Sequence, residues 1–369
     1  MLDDMIKSII SDYGPEWVLL EKCAGGLRNE DDKEVFKTIV KEYKLNYGKL
    51  IEQAIVHKIL PMLVLQLMKN QLLLEIPPVF QQYFRFMLDI NKRRTELLRE
   101  QVVRITEALN KKNIKFVCTK GIVLESTLYN SEGYRFMSDI DFLVEAKDQK
   151  EVLNTLQSLG YEMGFYNLST DETIKLSREE YLVYAVTKNK IPVHFIKLND
   201  PVIPCLYVGF DLDFTWSDSL YKIPLEDCLK DIAYIDIPGY ECIKIPTLNS
   251  SYHFIYIILH LIKHAWSESL RKSYADTTVM QFSDVLNYWN TEKNTLKSDL
   301  RNVLDRYDLE KPILWVLEHV DYLFKSNIIK ELDMEGKVSQ EWLNSSIVKG
   351  NKIVKWEGTI RDRLCNRLT

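Results

Sequence analysis

Apolar residues recur at helical spacing through the first 110 positions: Ile6, Ile9 and Ile10, then Phe36, Ile39, Val40 and Tyr43. Gly25-Gly26 breaks that region between helices. Pro61 suits the first turn of a helix, and Pro77-Pro78 sets a firm boundary. After it, Leu98, Val102, Ile105 and Leu109 form the stripe of a long helix over about 79–110, with Arg93, Arg94 and Arg99 on its solvated side.

From 111 to about 245 the pattern changes to alternating strand and helix. Ile114 to Cys118 reads as a strand, the stretch from Ile122 to Tyr129 as a helix, and Asp139 to Val144 as a second strand. Asp148 to Leu159 predicts a helix closed by Gly160, followed by a short strand from Tyr161 to Phe165. Tyr181–Val186 and Ile191–Leu198 read as a strand pair, and Tyr207–Phe214 as connecting structure over the core. From Thr247 the chain is helical again. Asn249 or Ser250 caps a helix to Trp266, and Asp284–Trp289, Leu300–Phe324 and Glu341–Val354 complete a bundle. Arg361, Arg363 and Arg367 read as an exposed tail. The expected class is α+β, with helical regions 1–110 and 246–369 around a core at 111–245.

Composition narrows this. The chain has 369 residues, of which 46% are hydrophobic and 27% charged, enough for a large core and too apolar for disorder. The net charge of −5 argues against a general binder of nucleic-acid backbones. The six cysteines are scattered without a Cys-x-x-Cys pair, which predicts reduced thiols and not a disulfide frame or zinc site. No basic segment followed by an apolar run opens the sequence, and no apolar run approaches a membrane span. A cytoplasmic location without membrane attachment is expected.

The candidate chemistry sits at Arg135 to Val144. Strand alternation puts Asp139 and Asp141 on one face and Ile140, Phe142 and Val144 on the other, which should face the core. Asp-x-Asp also fits a solvated strand edge or a turn. Two close carboxylates repel unless a cation lies between them, and Mg²⁺ takes one or two carboxylates together with substrate phosphates. Just upstream, strand, Lys120-Gly121 and helix place a lysine and backbone N–H groups where an anion can bind. His57 reads as a packed or capping residue. His253, His260 and His264 lie near one helix face, but Leu261 stands where a zinc protease needs glutamate. Packing, or contact with Asp284, is the expected role there; if the helix lines a cleft, Lys263 and His264 could touch substrate.

Lys120-Gly121, a helix ending in Leu128-Tyr129, then Arg135-x-x-Ser138-Asp139-Ile140-Asp141-x-Leu143-Val144 resembles the uncharacterised bacterial nucleotidyltransferase family of the polymerase-beta-like superfamily. Ala54, His57 and Pro61 are similar to that family's N-terminal signature, and His260 to His264 with Asp284 to its C-terminal one. The resemblance implies a nucleotidyltransferase core, a small mixed sheet with flanking helices. It implies Asp139 and Asp141 as catalytic ligands of Mg²⁺, and Gly121 and Ser138, with Lys120, as phosphate-site residues. Arg135 could steady the triphosphate or pair with Asp139. The substrates implied are ATP or another NTP and an unknown acceptor, a small molecule, peptide or protein before a nucleic acid. The family's third carboxylate lies two residues before a histidine, and here Pro192 takes that place before His194. Three explanations are open. Either His194 serves as base, or Glu179, Glu180 or Asp200 supplies the acid, or the protein binds nucleotide without turning it over. A second Asp-x-Asp, Asp211 and Asp213, lacks a Lys-Gly turn before it and is a lesser candidate for the missing acid.

Overall fold

A computed structural model describes residues 2–130, 132–187, 189–215, 221–267, 270, 275–348 and 352–366. Its first part is helical: α1 (Asp4–Tyr13), α2 (Pro15–Ala24), α3 (Glu30–Glu42), α4 (Tyr47–Val56), α5 (Leu60–Lys69) and α6 (Pro78–Lys111). Local chemistry sets the starts. Asp3, Asn29 and Asn46 accept a first-turn backbone N–H of α1, α3 and α4. Proline opens α2, α5 and α6, where its missing N–H is no loss.

The middle of the chain builds a sheet. In chain order it contains β1 (Phe116–Thr119), α7 (Gly121–Leu128), β2 (Asp139–Val144), α8 (Gln149–Ser158), β3 (Glu162–Met163), β4 (Phe165–Asn167), β5 (Glu172–Ile174) and α9 (Arg178–Thr187). Next come β6 (His194–Lys197), β7 (Cys205–Asp211), α10 (Leu225–Cys228), β8 (Ile232–Asp236) and β9 (Lys244–Leu248). Seven strands pair in the order β3-β6-β7-β2-β1-β9-β8. β2 runs parallel to β7 and β1 parallel to β9, while the other neighbours are antiparallel. β9 crosses position 245, so the sheet extends past the 111–245 segment.

The sheet separates two cores. On one face Ile140, Phe142 and Val144 pack with Val208, Phe210 and the Leu98–Leu109 stripe of α6. Phe142 is fully buried, stacked on Phe210 at 4.9 Å and edge-on to Phe116 at 5.8 Å. On the other, Val117 and Leu143 join a larger cluster containing α11 (Ser250–Trp266), α12 (Val279–Tyr307) and α13 (Glu310–Phe324). The N-terminal helices share that cluster, so residues from both ends of the chain pack as one body. The architecture is α+β, a mixed sheet flanked by helices. Among the described residues no helix is long and apolar enough to cross a membrane.

Several local expectations are corrected. Tyr181–Val186 lies in α9 and not in a strand. Ser177 and Glu180 form a reciprocal cap, each side chain accepting the other's backbone N–H at 3.1 and 2.7 Å, and this outweighs the strand preference of Tyr, Leu and Val. The 161–165 strand is broken by Gly164 at φ +126°, which separates β3 from β4. Of Tyr207–Phe214, expected as connecting structure, the part to Asp211 belongs to the central strand β7. The 341–354 helix is instead a short helix, α15 (Gln340–Leu343), and a hairpin of β10 (Ser345–Val348) and β11 (Lys352–Lys355). It follows α14 (Ile328–Glu331), and the hairpin strands pair antiparallel with Ser345 opposite Lys355. Finally, α16 (Ile360–Cys365) is no exposed tail. Arg361 is buried and grips Glu21 through two bonds of 2.8 and 2.9 Å, and Arg363 pairs with Asp276 at 2.9 Å. Arg367 lies outside the described residues.

Phe142→Ala should destabilise the fold by about 3–5 kcal/mol, as expected for a large cavity in a packed core. The same change at Phe86, which is 62% exposed, should stay within about 0.5 kcal/mol. Urea unfolding of both variants checks this; equal effects would contradict the two-core arrangement.

Candidate active site

Strand register decides which side chains meet. In the parallel β2–β7 pair, Asp139 lies opposite Tyr207, Asp141 opposite Gly209 and Leu143 opposite Asp211. Opposed residues share a face, so Asp139, Asp141 and Asp211 project from the same side of the sheet. Gly209 stands between them without a side chain. A Cβ there would lie 3.5 Å from Asp141 Oδ1, inside the space beside the carboxylate.

The β1–α7 junction brings a cation to these acids. Lys120 takes φ +49°, an uncommon conformation for a residue with a side chain. Its backbone N–H donates to Nε2 of the buried His253 on α11 at 3.2 Å. Its ammonium reaches Asp141 Oδ1 at 3.1 Å and lies over the Tyr256 ring, 5.5 Å from the centroid. Burial works against that charge, but Asp141, Asp211 and Asp139 outweigh it and hold the Lys120 pKa above its ordinary value. Tyr256, one turn after His253, donates its hydroxyl to Asp211 at 3.1 Å. Burial raises the Asp211 carboxyl above the ordinary range, with Lys120 and Lys263 pulling against it. Desolvation within the cleft, then the charge of Asp141, raises Asp139 as well, although its side chain opens at the cleft mouth. Ser138 donates to Asp139 at 3.0 Å.

Lys120, Ser138, Asp139, Asp141, Gly209 and Asp211 line one cleft of about 520 Å³ between the sheet face and helices α11 and α12. Lys58, Lys190, His260, Lys263 and His264 line its other walls. His264 donates from Nδ1 to the Ala275 carbonyl at 2.7 Å, and burial, reinforced by nearby lysines, lowers it to about 4. Gly121 opens α7 beside Arg135 and Met137. Among the described residues no three histidine, cysteine or acidic side chains converge as a ready-made metal cage. A pair of carboxylates completed by phosphate oxygens and water is the arrangement magnesium commonly adopts, so the donor set fits Mg²⁺ brought with a phosphate substrate.

The sequence profile of the family described as Uncharacterised nucleotidyltransferase matches residues 44–325. The chain belongs to this family. No curated protein matches it. The family supports nucleotidyl transfer as the general class of activity.

Asp139, Asp141, Lys120, Gly121, Arg135 and Ser138 all line the cleft. Arg135 does not pair with Asp139. It grips Asp284 from Nε and Nη2, at 2.9 Å for the shortest bond, because α12 brings Asp284 to the cleft floor. His194 is not brought to the acids. It pairs in register with Val208, on the opposite face of the sheet, and its Nδ1 donates to the Pro192 carbonyl at 2.7 Å. Burial lowers its pKa. Its position removes it as a base for chemistry at Asp139 and Asp141. Glu179, Glu180 and Asp200 do not line the cleft either; Glu180 caps α9 and Asp200 pairs with Arg93 at 2.9 Å. Of the acids considered beside the pair, Asp211, the lesser candidate, lines the same cleft. Sequence pattern missed Tyr256, Gly209 and Lys58. The alternation Leu206, Val208, Phe210 in β7 was the available signal, since it marks the other face as the one carrying Gly209 and Asp211. His57 is a buried cap: its Nδ1 accepts the Val279 N–H of α12 at 3.4 Å.

His253 is held near 3, below its ordinary 6.5, by burial first and by the Lys120 charge second. The unfolded chain binds a proton that the folded chain excludes, so stability falls as pH drops from 6.5 toward 3. The slope is about 1.4 kcal/mol per pH unit. His253→Gln keeps an acceptor for the Lys120 N–H and should lose about 2 kcal/mol less than wild type between pH 7 and 5. Urea unfolding at both pH values measures it; parallel losses would show that His253 is not the group excluded.

Proposed function

We propose that this nucleotidyltransferase is Mg²⁺-dependent and moves a nucleoside monophosphate from an NTP, ATP first among them, to a hydroxyl on a small molecule, peptide or protein. The observation that carries the reading is the shared face of Asp139, Asp141 and Asp211, set by the parallel β2–β7 register. When bound, Mg²⁺ neutralises phosphate charge and aligns the α-phosphate for in-line displacement. Asp139 and Asp141 would be its protein ligands. The N-terminus of α7 at Gly121, with Lys120 and Ser138, receives phosphate oxygens. Lys120 then exchanges part of its contact with Asp141 for the substrate. Arg135 is held by Asp284 at the edge of the same cleft and lends positive potential to it.

Asp211 takes the role that the family resemblance gives to an acid at the position of Pro192. The acceptor oxygen bonds to the α-phosphorus, the bond from that phosphorus to the bridging oxygen breaks, and pyrophosphate leaves. The hydroxyl proton passes to the Asp211 carboxylate, whose raised pKa makes it a better base near neutrality than an ordinary aspartate. Tyr256 orients that carboxylate. The cleft volume suits a nucleotide with a small acceptor group, not a duplex, which agrees with the acidic net charge.

The test supplies Mg²⁺, each of the four NTPs labelled at the α- or γ-phosphate, and cell extract as a source of acceptors. Label from the α position should appear on an acceptor as pyrophosphate is released, and Asp139→Ala with Asp141→Ala should abolish both. Asp211→Asn should keep Mg²⁺-dependent nucleotide binding and lose turnover by about 100-fold or more. Transfer of the γ label would replace this reading with phosphoryl transfer. Binding without any transfer would make the protein a nucleotide-dependent partner.

A further inference from the structure

The loop between α7 and β2 delivers Ser138 and Asp139, and side chains from three helices hold its backbone. Glu125, fully buried on α7, accepts the Gly133 N–H at 2.7 Å with one oxygen and the Arg135 N–H at 2.9 Å with the other. Asn91, buried on α6, donates to the Gly133 carbonyl at 2.8 Å and to the Arg135 carbonyl at 3.3 Å. Asp284 on α12 fixes the Arg135 side chain and also accepts from the Tyr129 hydroxyl at 2.9 Å. Gly133 lies against α6 so closely that a Cβ would meet Lys92 Cγ at 2.9 Å and its backbone at 3.3 Å. Such a loop has little freedom to shift without breaking bonds in a buried setting.

We propose that Glu125 is a positioning residue for the metal–nucleotide site, acting through the Gly133–Arg135 backbone to set the placement of Asp139. Only an ionised carboxylate offers an acceptor to each of the two amides without a donor facing them. Burial raises Glu125 to about 7, against the pull of those amides and of Arg135 and Arg99, so the two N–H groups offset only part of the cost of a buried charge. A residue with only a packing role would not need a charge there. The inference rests on the nucleotidyl-transfer reading of the cleft.

Glu125→Gln tests it, because the amide has one acceptor oxygen and leaves one N–H facing a donor. Two readouts are made on the full chain. Amide hydrogen exchange at Gly133 and Arg135 should speed up by at least about tenfold while β1 and β2 stay protected. The Mg²⁺ concentration needed for half-maximal binding of a non-hydrolysable ATP analogue should rise about 10- to 100-fold, the usual effect of losing a residue behind a metal ligand. Affinity for the analogue without Mg²⁺ should not change. Asp284→Asn, which loosens the same loop through Arg135, should act in the same direction and serves if Glu125→Gln does not fold. A wild-type protein that binds the analogue, with variants whose magnesium requirement is unchanged, overturns the proposal alone. A wild type with no magnesium-dependent binding overturns the functional reading and the proposal with it.

Discussion

Carboxylates gathered on one face of a sheet repel one another, and the arrangement around them answers that repulsion. Asp139, Asp141 and Asp211 come together because parallel strands place equivalent faces side by side. Lys120 is driven into the group by a strained backbone turn, pinned through His253, and covered by the Tyr256 ring. The His253 pin and the Tyr256 cover both come from α11, so the helix that closes the sheet face also tunes its charge. The apolar side of the same strands, with Phe142 between Phe116 and Phe210, keeps the face from tilting. Packing on one side of the sheet and electrostatics on the other are thus one constraint.

Much of this was legible in the sequence where it depended on neighbours along the chain. The strand–Lys-Gly–helix–strand block from Ile114 to Val144 and the long α6 follow from spacing and boundary residues. The parts that were not legible depend on pairing across distance. Asp211 looked like a decoy because nothing near it in sequence marks a phosphate site; only the pairing of β7 beside β2 gives it a role. Pro192 looked like the loss of an acid, but His194, two residues on, points to the opposite face. In α9, a reciprocal cap between Ser177 and Glu180 overrode residues that favour strands. Its sequence mark is Ser177-x-x-Glu180 just ahead of Tyr181.

The histidines show the same division. Their spacing on α11 is visible in the sequence, but their states are set by the fold. His253 stays neutral as an acceptor for a backbone N–H, and the carbonyl of Ala275 fixes the proton of His264 on Nδ1. Arg135, which the sequence offers as a phosphate ligand, is held by a carboxylate 149 positions away.

That separation bears on how the molecule is made. Asp284 must arrive before Arg135 has a partner, and Arg361 closes on Glu21 across 340 positions. A chain leaving the ribosome therefore carries its aspartate-rich strands, already synthesised, for a long interval before the helices that neutralise and cover them exist. Through that interval the sheet face lacks Tyr256 and His253, and the Lys120 turn lacks its pin. Completion of the cleft is thus a late event in folding, since its lining is not whole until Asp284 on α12 has docked.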